Sequence, residues 1–190
     1  MAYDIPADPA SQIHSYLGPG EQLLWAGRPD PEVRFAPIDA LLVPFSVMWG
    51  GFALFWEAGV LASGAGLFFA LWGIPFVVVG LYFMVGRFVY KKRRKLRTAY
   101  GVTNKRAIVA VGNSSMSDTP INGASTSVKR SRHGSHVSIT FGARSGWGPL
   151  GPVYPNTGMD FFPMASPSVG FYDVAQPEAL LAALQRARAA

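Results

Sequence analysis

The sequence predicts a membrane α+β protein: a two-helix transmembrane hairpin followed by an antiparallel β domain closed by a C-terminal helix. Three observations carry this. Between Ala40 and Gly86 the only charged residue is Glu57. From Thr98 onward the pattern changes to short alternating runs with polar turns. The chain then finishes on an amphipathic segment after Pro177. Charged residues make up 15% of the 190-residue chain, against about 25% in an ordinary soluble domain, and the shortfall is concentrated in the apolar stretch.

The first apolar segment runs from about Ala40 to Trp56, or from Ile38 if the preceding turn is included. At about 1.5 Å per residue it covers roughly 25 Å, close to a hydrocarbon core of about 30 Å. Pro44 falls in its first turns, where a missing backbone donor matters least. The second segment carries no charge from Leu67 to Val85 and extends to about residue 89. Pro75 is expected to kink it. The intervening Glu57–Gly66 stretch contains Ser63-Gly64-Ala65-Gly66, a turn signal too short to hold a domain. The domain boundaries expected are therefore 1–36 for an N-terminal segment, 37–90 for a hairpin with spans at about 38–56 and 67–89, and 91–190 for the β domain.

Charge sets the expected orientation. Residues 1–36 sum to −3, residues 37–86 to −2 and residues 87–190 to +11. The basic run Lys91, Lys92, Arg93, Arg94, Lys95 and Arg97 directly follows the second span, Arg28 and Arg34 precede the first, and the inter-span loop has no Lys or Arg. Lysine and arginine are retained on the cytoplasmic side, so both termini are predicted there. Trp49, Trp56 and Tyr90 are candidate interface anchors. Met1–Leu17 has neither the basic nor the apolar region of a cleavable signal.

In the C-terminal part, Tyr100 and Val102 lead through the polar turn Thr103–Arg106 into Ala107–Val111, a hairpin with a four-residue loop. Ala124, Thr126 and Val128, then Val137, Ile139 and Phe141, alternate with polar neighbours as half-buried strands do. Residues 142–170 are rich in Gly and Pro, with Trp147, Tyr154, Phe161 and Phe162 among irregular strands and loops. Pro177 and Glu178 open a helix whose Leu180, Leu181 and Leu184 share a face, and Arg186 and Arg188 suit its negative end. Leu23, Leu24 and Trp25 are too apolar for a free tail. Gln22–Ala26 is expected to lie as an extended segment on the C-terminal domain, with Trp25 at least partly buried.

Three stretches in this order resemble the bacterial PH-like domain family: Gly20-Glu21-Gln22-Leu23-Leu24-Trp25-Ala26-Gly27-Arg28-Pro29, Tyr100-Gly101-Val102-Thr103-Asn104-Lys105-Arg106, and Phe171-Tyr172-Asp173-Val174 ahead of Pro177-Glu178. The resemblance spans most of residues 20–188, and 142–170 departs from it. It implies two packed antiparallel sheets capped by the last helix, in a multi-pass protein of the bacterial inner membrane. It implies no established activity.

No catalytic pattern emerges. The eleven acids are scattered, and neither a phosphate-loop glycine motif nor Gly-x-Ser-x-Gly is present. With no cysteine, disulfides and thiolate chemistry are excluded. His133 and His136 sit by Arg130 and Arg132, which would repel a cation. The expectation is a non-enzymatic binding module without a cofactor. Its partners would be the lipid bilayer and either anionic headgroups or a membrane protein, but not nucleic acid. An accessory subunit of a membrane enzyme or transporter is the alternative. Candidate contacts are the run Lys91, Lys92, Arg93, Arg94, Lys95 and Arg97, and the turn residues Lys105, Arg106, Lys129, Arg130 and Arg132.

Overall fold

The computed structural model describes residues 8–113, 115–131, 134–142, 156–158 and 169–189. The expected layout of 143–155 and 159–168, with Trp147, Tyr154, Phe161 and Phe162, lies outside the described residues, as do Arg132 and His133.

A short helix the sequence did not announce, α1 (Pro9–His14), opens the chain. Asp8 caps it, accepting from the backbone N–H of Ala10 and Ser11, and Pro9 starts it where a proline is tolerated. Strand β1 (Leu23–Gly27) follows, then the long helix α2 (Asp39–Ser63). The second hairpin arm is α3 (Leu67–Leu81), a π turn at Tyr82–Gly86, and α4 (Arg87–Arg97). The strands are β2 (Thr98–Thr103), β3 (Arg106–Val111), β4 (Ser115–Pro120), β5 (Thr126–Arg130), β6 (Val137–Phe141) and β7 (Gly170–Val174), and α5 (Pro177–Ala189) ends the chain.

Asp39–Ser63 and Leu67–Arg97 are both long and apolar enough to cross a membrane. Their outer faces carry Phe55, Leu67 and Phe68, each at least 70% exposed. The inter-helix loop is shorter than expected. Glu57–Ser63 stays helical, because no residue before Gly64 breaks the pattern, and Gly64 ends the helix in the left-handed conformation at φ 62°. The arms approach closely at Gly50 and Gly80: a Cβ on Gly80 would lie 2.8 Å from the Gly50 Cα. α3 continues through Pro75, and the departure from α geometry falls one element later, in the π turn.

The strands form two sheets, β1-β2-β3-β4 and β5-β6-β7, with every pairing antiparallel. β1 pairs with β2 with Trp25 opposite Val102 and Gly27 opposite Tyr100, so the hairpin is an insertion between two neighbouring strands of one sheet. The expected extended segment over 22–26 is this strand. Trp25 is half-buried, its ring 6.1 Å from that of Phe171. The turn after β2 is tighter than predicted, with only Asn104 and Lys105 between the strands. Thr103 Oγ1 accepts from the backbone N–H of both Lys105 and Arg106, which takes the place of a longer loop.

Tyr100, Val102, Phe141, Phe171, Val137 and Ile139 form the core between the sheets, with Leu180 and Leu184 of α5 closing it. A second cluster lies on the other face of the four-stranded sheet. There Ile13 of α1 packs on Ala99, Ile108 and Ala110. Both faces of β2 are therefore covered, and all six of its residues are buried. Gly101 belongs to this contact, since a Cβ there would lie 2.7 Å from Ile13 Cγ2. Val137, Ile139 and Phe141 are buried as their alternation predicts. Val128 is not: β5 is an edge strand, and Val128 stays 46% exposed opposite Ile139.

Candidate functional site at the helix–sheet junction

Helical spacing aligns Arg87, Lys91 and Lys95 four residues apart, and all three are buried against the segment between β1 and α2. Arg87 pairs with Asp39, and its Nε donates to the Phe83 carbonyl at 2.9 Å. Asp39 also accepts from the Ala36 N–H at 2.7 Å, which ties the start of α2 to the junction. Lys91 Nζ donates to the Arg34 carbonyl at 2.9 Å. Lys95 Nζ has three acceptors: the Asp30 carbonyl at 2.9 Å, the Val33 carbonyl at 2.7 Å and Asp173 Oδ2 at 2.6 Å. Asp173 also accepts from Asn156 Nδ2 at 2.7 Å and holds a left-handed φ of 54°.

The linker is fastened to the second sheet as well. Asp30 donates its N–H to the Asp173 carbonyl at 2.9 Å, and His136 Nε2 lies 2.8 Å from Asp30 Oδ2. The Glu32 backbone N–H, with His136 beside it, holds the Asp30 carboxyl below its usual range. The junction therefore joins both hairpin arms to the linker and to the second sheet, largely through charge-assisted hydrogen bonds, which are stronger than neutral ones.

The basic run is thus sorted by helix face. Lys91 and Lys95 point inward. Lys92 pairs with Glu32 at 2.9 Å. Arg93 and Arg97 are exposed. Arg94 borders a cleft of about 210 Å³ that Lys91, Thr98 and Tyr100 share with Ser115 and Ser117 of β4.

The turn cations do not join this group. Lys105 and Arg106 sit at the other end of β2, about 20 Å away at roughly 3.3 Å per strand residue. Arg106 is engaged by Glu21 at 2.9 and 3.0 Å, by Asp118 at 2.9 Å and by the Tyr16 carbonyl at 2.9 Å. The Arg106 guanidinium in turn pulls the Glu21 carboxyl down to about 2. Arg130 pairs with Glu178 at 3.1 Å, and Lys129 is exposed. Among the described residues no three His, Asp or Glu side chains converge as metal ligands would.

Charge count found the basic run but not its division. Only the four-residue spacing of Arg87, Lys91 and Lys95 hinted that one face was internal. The partners, Asp39, Asp173 and the linker carbonyls, are remote in sequence. No family model, no curated protein and no solved structure matches the chain.

Proposed function

We propose that the chain is a membrane-anchored binding module. It holds a PH-like domain at the cytoplasmic face of the bacterial inner membrane, where the domain meets anionic lipid headgroups or a membrane protein. The observation that supports this reading most is the insertion of the hairpin between β1 and β2. A hairpin that leaves and re-enters one sheet places the whole domain on one side of any bilayer it crosses. The second arm then runs as continuous helix, with one π turn, from Leu67 to Arg97, directly into β2. Such a domain is held against the surface with little freedom to swing.

On this reading the exposed Arg93 and Arg97 stand beside the headgroup zone, where each basic residue contributes on the order of 1 kcal/mol of attraction to an anionic leaflet. Two antiparallel sheets followed by a closing helix are in keeping with the PH-like resemblance and support this reading. Reporter fusions test the topology. Fusions at the N-terminus, Ser63 and Ala190 are expected to read inside, outside and inside. A periplasmic Ala190 reporter defeats the reading.

A further inference from the structure

Among the described residues, two of the three buried cations of α4 are directly paired with a carboxylate. Arg87 takes Asp39, and Lys95 takes Asp173. Lys91, 4% exposed, donates among the described residues to the Arg34 carbonyl and is in no ion pair with them. An ammonium carries three N–H donors, and a buried charge is costly unless it is paired. The cleft that Lys91 lines supplies the room. At about 210 Å³ it is smaller than a drug-sized pocket and large enough for a small polyoxygen group. Ser115 and Ser117 line the same cleft, as does Thr98, whose hydroxyl donates to the Arg94 carbonyl at 2.8 Å. Lys91 lies about 6 Å along the helix axis beyond Arg87, one turn past the end of the apolar segment, which is headgroup depth.

The geometry points to this cleft as a phosphate-binding site, with Lys91 as the central cation and the Ser115 and Ser117 hydroxyls as hydrogen-bond donors. The phosphate is either that of an anionic lipid headgroup or a free phosphate. This deepens the reading of the chain as a membrane-surface binding module and rests on it.

Native mass spectrometry of the full chain in mild detergent tests the site. Phosphatidylglycerol, phosphatidylcholine and inorganic phosphate are the separate probes. Lys91→Met removes the charge, Ser117→Leu fills the cleft and leaves the charge in place, and Arg93→Gln with Arg97→Gln strips the exposed face. Losing a charge-assisted contact predicts that Lys91→Met retains phosphatidylglycerol about tenfold less than the unaltered chain. Ser117→Leu should fall likewise, and the double arginine variant should stay within about twofold.

Lys91→Met is expected to fold, because an apolar side chain of similar length replaces a buried charge. If it does not, Ser117→Leu carries the test alone. Retention of phosphatidylglycerol over phosphatidylcholine without any effect of inorganic phosphate assigns the site to a headgroup. Competition by inorganic phosphate assigns it to the free anion. Equal retention by the unaltered chain, Lys91→Met and Ser117→Leu overturns the cleft. If only the double arginine variant loses lipid, the cleft is overturned and surface binding survives. If no protein retains any probe, the cleft and the lipid side of the proposed function fall together.

Discussion

Glu21→Gln isolates one ion pair that closes the end of the four-stranded sheet away from the hairpin. The carboxylate accepts from the Gly18 N–H at 2.9 Å, from Thr103 Oγ1 at 2.7 Å and from Arg106 Nε and Nη2 at 2.9 and 3.0 Å. Its side chain is 3% exposed, and that of Arg106 is 24% exposed. Arg106, acting first through its hydrogen bonds, lowers the Glu21 carboxyl from 4.5 to about 2. A carboxyl depressed on folding contributes stability that is full above its unfolded value and is lost as pH falls through the folded one. The window is therefore about pH 4.5 down to about 2. The depression is worth about 3 kcal/mol at most, and the partial exposure of Arg106 reduces this to about 2 kcal/mol. For a chain of this size that is an apparent melting shift of about 4–8 °C.

The assay is thermal unfolding of the full chain in detergent at pH 7, 5, 4, 3 and 2. Glu21→Gln is expected to melt lower than the unaltered chain at pH 7, with a gap that narrows as pH falls below about 4.5 and closes only near pH 2. Asp30 is also depressed and keeps part of the acid sensitivity in both proteins, so the difference between the curves is the measure. Parallel curves with a constant offset would show that Glu21 titrates in its ordinary range, and the ion-pair argument would fail.

Two further outcomes follow from packing. Trp25→Ala removes a large ring from the edge of the core beside Phe171, at a cost of about 1.5–3 kcal/mol, and should make residues 98–142 more open to limited proteolysis; unchanged resistance would mean that the strand is not docked. Gly101→Val puts atoms where Ile13 sits, so α1 should detach and residues 8–17 become protease-sensitive while the rest of the sheet persists. If α1 stays protected in that variant, the Ile13–Gly101 contact is not what seats it.

The sequence alone determined the parts of this protein that depend on local repetition. The uncharged runs around Pro44 and Pro75, the alternation of Val137, Ile139 and Phe141, and the leucine face of α5 each repeat at the period of their element, so hairpin, strand and helix were legible without coordinates. The apolar content of Leu23–Trp25 pointed to docking for the same reason: an exposed segment of that composition is costly in water. What periodicity does not encode is which distant groups meet. α1 was missed because six residues carry too little pattern to show an amphipathic face. The hairpin's close approach at Gly50 and Gly80 pairs glycines on different helices, so no spacing within one segment could reveal it.

The basic run shows the limit most clearly. Lys91, Lys92, Arg93, Arg94, Lys95 and Arg97 read as a single block of charge. Only the tertiary structure, by bringing Asp173, Asp39 and the carbonyls of Asp30, Val33 and Arg34 against one face of α4, turned two of those lysines into internal struts. Burial and partner geometry decide whether a cation is a surface charge or a structural one. Both are properties of the folded neighbourhood, built here from residues as far apart in sequence as Asp30 and Asp173.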